Sequence, residues 1–211
     1  DYTVEGFSTV TYRGTGATQY IGGTGFQPDL TWIKNRDTTD WNQLTDSVRG
    51  VDRQIFPNDT GAEDNATDKI TSFSADGFSI STHESVNTNA EEYIAWGWDM
   101  GNTTVTNTSG SINSQVRANP TYGQSIVSWE GTEANATIGH GLNSAPEMII
   151  VKNRDRVCNW EVYYGDNTDY LRLNTTDATV DNVNRWNDTS PTSSVISLGA
   201  GANVNGNNES V

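Results

Sequence analysis

The sequence predicts an all-β protein, and three observations lead to that prediction. Thr, Asn, Ser, Gly and Asp are abundant, and these residues favour strands and tight turns over helices. Short apolar or alternating stretches recur roughly every 8 to 15 residues, separated by turn sequences such as Asp76-Gly77. No window has a convincing apolar period of about 3.6 residues. We therefore expect antiparallel β-sandwich or jelly-roll-like architecture.

The strand-like stretches are justified by alternation and by apolar content. In the stretch 93–98, Ile94, Trp96 and Trp98 share one face, and we expect both tryptophans to lie in the core. The run 148–151, Met-Ile-Ile-Val, is continuously apolar, which is typical of a central strand buried on both sides. In the segment 100–122, Ile112 and Val116 indicate a further strand. The predicted strands are 7–12, 30–34, 77–81, 93–98, 125–129, 148–152, 160–164, 170–173 and 195–198.

The chain contains an internal repeat. Residues 25–37 end in Leu-Thr-Trp-Ile-Lys-Asn-Arg-Asp and return at 141–155, which end in Met-Ile-Ile-Val-Lys-Asn-Arg-Asp, with a register of about 118 residues. A period this long indicates a tandem pair of similar domains rather than a solenoid. We predict one β-sandwich domain over residues 1–110 and a second over residues 111–211.

The second domain is expected to be truncated at its C-terminal end. By the repeat register, residues 209–211 correspond to 91–93, where the aromatic strand 93–98 begins. The second domain would then lack the counterpart of that strand and would have an unpaired edge. We expect the natural chain to continue past Val211; a strand supplied by a neighbouring chain is the alternative.

Composition and charge exclude several classes of partner. The formal net charge is -15 at pH 7, and no basic stripe is present to neutralise phosphates, so we expect no nucleic-acid partner. No apolar run approaches about 18 residues, so no membrane insertion is predicted. A carboxylate cage for calcium is the alternative to a solvated acidic surface, but none of its candidates shows the spacing of a calcium loop: Asp59, Glu63, Asp64, Asp68, Asp166 and Asp169. We therefore predict neither a metal nor a cofactor.

Candidate catalytic residues are sparse. The two histidines, His83 and His140, have no counterparts in the other repeat and lie beside no Ser or Cys nucleophile motif. The single cysteine, Cys158, excludes an intrachain disulfide and has no evident base partner. Carboxylates are so numerous that their presence alone cannot indicate a glycosidase. The sequence predicts a protein that is not an enzyme.

The candidate binding site is the repeated motif Lys-Asn-Arg-Asp with a tryptophan downstream. As a ligand site it would offer polar groups beside an aromatic stacking surface for a sugar or an acidic ligand. As a structural corner, its Asn would turn the chain while its Arg paired with Asp or packed over the Trp; we favour this interpretation. Trp186, Tyr163 and Tyr164 are further aromatic candidates. The candidate ligand-binding residues are Lys34, Asn35, Arg36, Asp37, Trp41, Lys152, Asn153, Arg154, Asp155 and Trp160.

Several long motifs point to a family. Residues 25–36 read Gly-Phe-x-Pro-Asp-Leu-x-Trp-Ile-Lys-Asn-Arg and are followed by Asp-Ser-Val-Arg-Gly at 46–50. Residues 72–80, 93–98 and 187–199 belong to the same pattern. Together these stretches resemble a domain of unknown function in virion-associated proteins of tailed bacteriophages, many from aquatic hosts. The resemblance implies tail-fibre, spike or capsid-surface architecture, often trimeric, that can bind host glycans.

These observations predict a non-enzymatic bacteriophage virion structural protein with a role in host-surface attachment. It would be a tail fibre, a spike or a capsid decoration at the virion surface. Its expected partners are other virion proteins, further copies of itself in a homotrimer, and host surface glycans. The alternative is a secreted carbohydrate-binding module or a lectin-like adhesin domain.

Overall fold

The computed structural model describes residues 6–211 and confirms the all-β class. Strands hold 40% of the residues and helices 6%, and every named ladder is antiparallel. The chain divides into two compact units: unit 1 comprises residues 6–57 and 63–100, and unit 2 comprises residues 58–62 and 101–211. The division at residues 110 and 111 drawn from the repeat stays a prediction.

Unit 1 consists of a six-stranded and a three-stranded sheet with one short helix. The strand order is β1-β9-β3-β4-β5-β6 in the larger sheet and β2-β8-β7 in the smaller one. The elements are β1 (Phe7–Arg13), β2 (Gln19–Gly22), β3 (Leu30–Asn35), β4 (Gln43–Asp46), β5 (Gly50–Ile55), β6 (Asp64–Asn65), β7 (Ile70–Ser74), β8 (Gly77–Ile80), α1 (Glu84–Asn87) and β9 (Glu92–Trp98).

Strand β9 organises the core of unit 1 because it pairs with both β1 and β3. Its side chains alternate between two faces as expected, but the buried face is the one that carries Tyr93 and Ala95. Tyr93 and Ala95 are buried, whereas Trp96 and Trp98 are only partly buried, so their predicted core position is wrong. The inner face is filled instead by Tyr93, which stacks on Tyr12 at a centroid distance of 5.1 Å.

Unit 2 has three sheets and two short helices. The strand orders are β10-β11-β12, β13-β18 and β14-β15-β16-β17. The elements are β10 (Val105–Asn107), β11 (Ser114–Asn119), β12 (Gln124–Trp129), β13 (Ala136–Gly139), β14 (Ile149–Val151), β15 (Glu161–Tyr163), β16 (Asp169–Arg172), β17 (Val180–Asp181), α2 (Val183–Trp186), β18 (Val195–Leu198) and α3 (Ala202–Asn205).

Two predictions about unit 2 have different outcomes. The strand expected around Ile112 and Val116 is confirmed: Val116 is buried in β11, and Ile112 forms a parallel bridge with Ile138. The expectation that 148–151 is buried on both sides is wrong, because Met148 is 60% exposed and Ile150 is 42% exposed. Strand β14 has one buried and one exposed face, with Val151 buried and Ile150 exposed, so only alternate side chains reach the core.

The core of unit 2 is built around aromatic and β-branched side chains from most of its strands and both helices. Trp186 of α2 packs edge-on against Tyr163 of β15 at a centroid distance of 5.8 Å. The buried cluster consists of Trp129, Ile138, Val151, Tyr163, Tyr170, Trp186, Ile196, Leu198, Val204 and Val211. Trp186 and Tyr163 are therefore core residues rather than ligand-facing ones, and Tyr164 is the exposed member of its pair.

Candidate functional site

The first copy of the Lys-Asn-Arg-Asp motif forms a structural corner where β3 ends. The side chain of Asn35 is fully buried, and its amide donates to Tyr93 Oη (3.1 Å) and to Glu91 Oε2 (2.6 Å). Its carbonyl oxygen accepts a hydrogen bond from the backbone N–H of Asp37 (3.0 Å). The Asp37 carboxylate in turn accepts from the N–H of Glu92 (2.7 Å). Asn35 and Asp37 thereby fix the end of β3 against the start of β9.

The second copy makes equivalent contacts inside unit 2. Asn153 is buried and donates to the carbonyl of Ala202 and to Glu209 Oε2, both at 2.7 Å. Its carbonyl oxygen accepts from the N–H of Asp155 (3.1 Å), and Asp155 Oδ2 accepts from the N–H of Ser210 (2.6 Å). The motif therefore builds the same corner twice, and its Asn turns the chain as the structural interpretation expects. The expected pairing of its Arg with Asp, or packing of that Arg over the Trp, stays a prediction.

The two lysines of the motif are held by backbone carbonyls. Lys152 Nζ donates to the carbonyls of Arg156 (2.9 Å) and Cys158 (3.2 Å), and Lys34 Nζ donates to that of Thr38 (2.7 Å). Burial lowers the pKa of Lys152, and the Cys158 thiol partly opposes that shift. Each lysine thus closes the loop that follows its strand.

The arginines and tryptophans of the motif differ between the copies. Arg154 Nη1 donates to Ser128 Oγ (3.0 Å), whereas the side chain of Arg36 is exposed. Trp160 is only 3% exposed, and its indole N–H donates to the carbonyl of Asp59 (3.1 Å). Trp41 is 50% exposed. A ligand could reach the indole face of Trp41 directly but that of Trp160 only after displacing protein contacts. A ligand-binding role for the corner residues stays a prediction.

Trp41 lies at a cavity of about 390 Å³ in unit 1. Its indole packs at a tilt of 52° against the ring of Phe56, with a centroid distance of 5.2 Å. The cavity is therefore bordered by one exposed and one buried aromatic ring. The lining residues are Thr39, Asp40, Trp41, Gln43, Phe56, Asp64, Lys69, His83, Glu84 and Ser85.

A buried lysine supplies the cation of this Trp41 cavity. Lys69 is 3% exposed, its Nζ donates to Gln43 Oε1 (2.9 Å), and it lies 5.0 Å from the centroid of the Phe56 ring. Burial lowers the pKa of Lys69, and the nearby carboxylates of Asp64 and Asp68 partly restore it. The Gln43 amide also donates to the carbonyl of Trp41 (2.7 Å). One hydrogen-bond chain thus links the cation to the residue that carries the exposed indole.

The repeated motif also supports the wall of the Trp41 cavity. Asp40 Oδ2 accepts from Thr38 Oγ1 (2.7 Å) and from the amide of the buried Asn35 (3.3 Å). Elsewhere in the lining, His83 Nδ1 accepts from the N–H of Ser85 (3.1 Å) and caps α1. The corner at the end of β3 therefore holds the Asp40 carboxylate in the wall of the cavity.

The arrangement offers an aromatic face, a buried ammonium group and several oxygen acceptors, which suits a polyhydroxylated ligand. Within residues 6–211, no group of three or more His, Cys, Asp or Glu side chains could hold a metal ion. The helices of that range are too short to cross a membrane. Of the cavity residues, sequence reasoning found Trp41 but missed Lys69 and Phe56. No local pattern marks those two, because they come from separate segments.

Comparison with known families gives one match. Residues 3–211 match the family described as Domain of unknown function (DUF7483). No curated protein and no solved structure matches the chain. Since the match covers nearly the whole sequence, the chain belongs to the DUF7483 family.

Proposed function

We propose that this protein is a non-enzymatic structural protein of a bacteriophage virion that attaches to host-surface glycans through the Trp41 cavity. It would serve as a tail fibre, spike or capsid decoration. The observation that carries the binding proposal is the half-exposed Trp41 indole beside a cavity with buried polar groups. The virion assignment is supported by the resemblance of residues 25–36, 46–50 and 72–80 to phage virion domains.

The chemistry of the cavity fits a sugar ring. The C–H face of a pyranose is apolar and can pack on an indole, while its hydroxyl groups donate and accept hydrogen bonds. Lys69 would donate to a hydroxyl oxygen, and the Asp40 carboxylate would accept from another. One shallow site of this size gives a dissociation constant on the order of 1 mM to 10 μM. Several copies on one particle would raise the effective affinity by multivalency.

The proposed architecture is two tandem antiparallel β-sandwich or jelly-roll-like domains in a homotrimer. The antiparallel sheets of each unit and the separate cores around Tyr93 and Trp186 support the tandem arrangement. The trimer is proposed from the resemblance alone. Sedimentation equilibrium of the purified chain would give three times 23.0 kDa for a trimer, and a monomer mass would contradict it.

A glycan array tests the binding proposal. The chain should bind a defined subset of glycans, and Trp41→Ala should weaken that binding about tenfold or more, since it removes the stacking surface. Tyr20→Ala is the matched control, because Tyr20 is a 53% exposed aromatic of unit 1 outside the cavity lining. Equal loss in both variants, or binding that survives Trp41→Ala, would contradict the assignment. Release of reducing sugar would contradict a purely binding role.

The virion assignment needs its own experiment. Antibodies raised against the chain should label phage particles purified from the source culture, as seen by immunogold electron microscopy. Labelling confined to the particle-free supernatant would favour the alternative, a secreted carbohydrate-binding module. Either labelling outcome is independent of the glycan-array result, because a virion protein and a secreted carbohydrate-binding module could both bind glycans at Trp41.

A further inference from the structure

The charged groups of the Trp41 cavity are unbalanced. Asp40, Asp64 and Glu84 contribute three carboxylates to the lining, whereas Lys69 contributes the one ammonium group among its Lys and Arg side chains. Asp64 and Glu84 are exposed, so their charges face the solvent from which a ligand approaches. The lining thus carries a formal excess of two negative charges within a chain of net charge -15.

The ammonium group of Lys69 is less available to an anion than its charge suggests. It is buried, donates to Gln43 Oε1 and lies against the ring of Phe56. Asp64 and Glu84, two exposed carboxylates of the same lining, would repel an anionic sugar that approached Lys69. A hydroxyl or an amino group on the sugar faces no such repulsion, and an ammonium group would be attracted to those carboxylates.

We propose that the Trp41 cavity selects glycans that contain amino sugars with a free ammonium group and rejects acidic glycans. This inference rests on the proposed glycan-binding function and adds the ligand class to it. The site itself is defined by the cavity and the exposed indole, and the carboxylates determine which sugars enter. The ammonium group of the sugar would lie near Asp64 and Glu84 while the ring packs on Trp41.

Three tetrasaccharides of equal length test the proposal by isothermal titration calorimetry. They are built from glucosamine, from N-acetylglucosamine and from glucuronic acid. At low salt we expect the glucosamine form to bind about tenfold more tightly than the neutral form, and the acidic form to bind more weakly than both. Raising the salt concentration should weaken binding of the glucosamine form but leave that of the neutral form nearly unchanged.

A double variant that neutralises two carboxylates of the cavity tests whether they cause the preference for glucosamine. Asp64→Asn with Glu84→Gln keeps hydrogen-bonding oxygens but removes two charges, so the preference for glucosamine over the neutral form should fall about tenfold. The matched control is Glu130→Gln with Glu147→Gln, which makes the same charge change at two exposed positions of unit 2. This control should keep the preference.

The outcomes separate the two proposals. If the acidic or the neutral tetrasaccharide binds as tightly as the glucosamine form, the charge selectivity is wrong while glycan binding stands. If both double variants lose the preference equally, the selectivity comes from net charge rather than from the cavity, and the inference is overturned. If no tetrasaccharide and no array glycan binds, the glycan-binding proposal fails and this inference fails with it.

Discussion

At the scale of single residues, two buried asparagines hold equivalent turns in the two units. Asn87 Oδ1 accepts from the N–H of Thr15 (2.9 Å), and its amide donates to the carbonyl of Ala17 (2.7 Å). Asn205 makes the matching bonds in unit 2, to the N–H of Thr132 (2.9 Å) and to the carbonyl of Ala134 (2.6 Å). Both side chains are fully buried, so each amide replaces water for two backbone groups.

Replacing one of these amides should cost stability. We expect Asn205→Ala to lower the free energy of unfolding by about 2–4 kcal/mol, because it removes a fully buried amide together with its hydrogen bonds to the backbone of Thr132 and Ala134. Asn207→Ala, at an exposed position two residues away, should change it by less than about 0.5 kcal/mol. Urea unfolding followed by circular dichroism measures both values. Equal effects in the two variants would show that the buried amide is not a stabilising contact.

His140 should make stability depend on pH. It is buried, its Nδ1 accepts from the N–H of Leu142 (3.1 Å), and burial lowers its pKa, with the Thr192 carbonyl partly opposing that shift. Because the folded pKa is lower than the unfolded one, the contribution is fully present above about pH 6.5 and is lost as the pH falls through the folded pKa. The free energy of unfolding should therefore decrease from pH 7.5 to pH 5.

The control for this pH dependence is the other histidine. His140→Gln should flatten the fall in unfolding free energy between pH 7.5 and pH 5, whereas His83→Gln should leave most of it. Parallel curves for the native chain and His140→Gln would mean that His140 does not cause the pH dependence.

At the scale of elements, the turn between β4 and β5 depends on a buried ion pair. Asp46 Oδ1 accepts from the backbone N–H groups of Val48 and Arg49, both at 2.9 Å. The Arg49 guanidinium contacts Asp46 Oδ2 (2.5 Å) and Glu63 Oε2 (3.0 Å), and all three side chains are largely buried. The motif Asp-Ser-Val-Arg-Gly that supports the family resemblance is thus a structural hairpin turn rather than a ligand site.

Removing the cation from this turn should be costly. Arg49→Met removes the guanidinium that the buried carboxylates of Asp46 and Glu63 share, and we expect a loss of about 3–5 kcal/mol. Arg53→Met is the control, since the Arg53 side chain is 42% exposed and its ion pairs are long; it should cost less than about 1 kcal/mol. Chemical denaturation distinguishes them. If Arg49→Met lowered the free energy of unfolding as little as Arg53→Met, the buried ion pair would not stabilise this turn.

The sequence predicted elements well where burial alternates and poorly where polar side chains are buried. Strand β18, Val195–Leu198, was predicted with its exact bounds because it is a compact apolar stretch between turns. Strand β4, Gln43–Asp46, was missed because its buried residues are polar and satisfied by distant partners, such as Lys69 for Gln43. The Trp41 cavity was predictable only in part for the same reason, since Lys69 and Phe56 reach it through tertiary contacts.

At the scale of the whole molecule, acidic residues outnumber basic ones by 27 to 12. This excess destabilises the folded chain by repulsion between carboxylates. We expect the melting temperature to rise by several degrees between about 10 mM and 300 mM NaCl, as the Debye length falls. Choline chloride should raise the melting temperature by the same amount, because any monovalent salt screens the repulsion between carboxylates. A fall in melting temperature, or a rise with sodium alone, would contradict this explanation.

An NMR titration shows whether a glycan binds at Trp41. The chain has seven tryptophans, whose indole N–H groups give separate signals in a ¹⁵N–¹H correlation spectrum. On addition of the tetrasaccharide that binds most tightly in calorimetry, the signal assigned to Trp41 by its loss in Trp41→Phe should shift progressively, and those of the buried Trp160 and Trp186 should not. A titration that leaves the Trp41 signal in place, or that shifts another indole instead, would contradict the account.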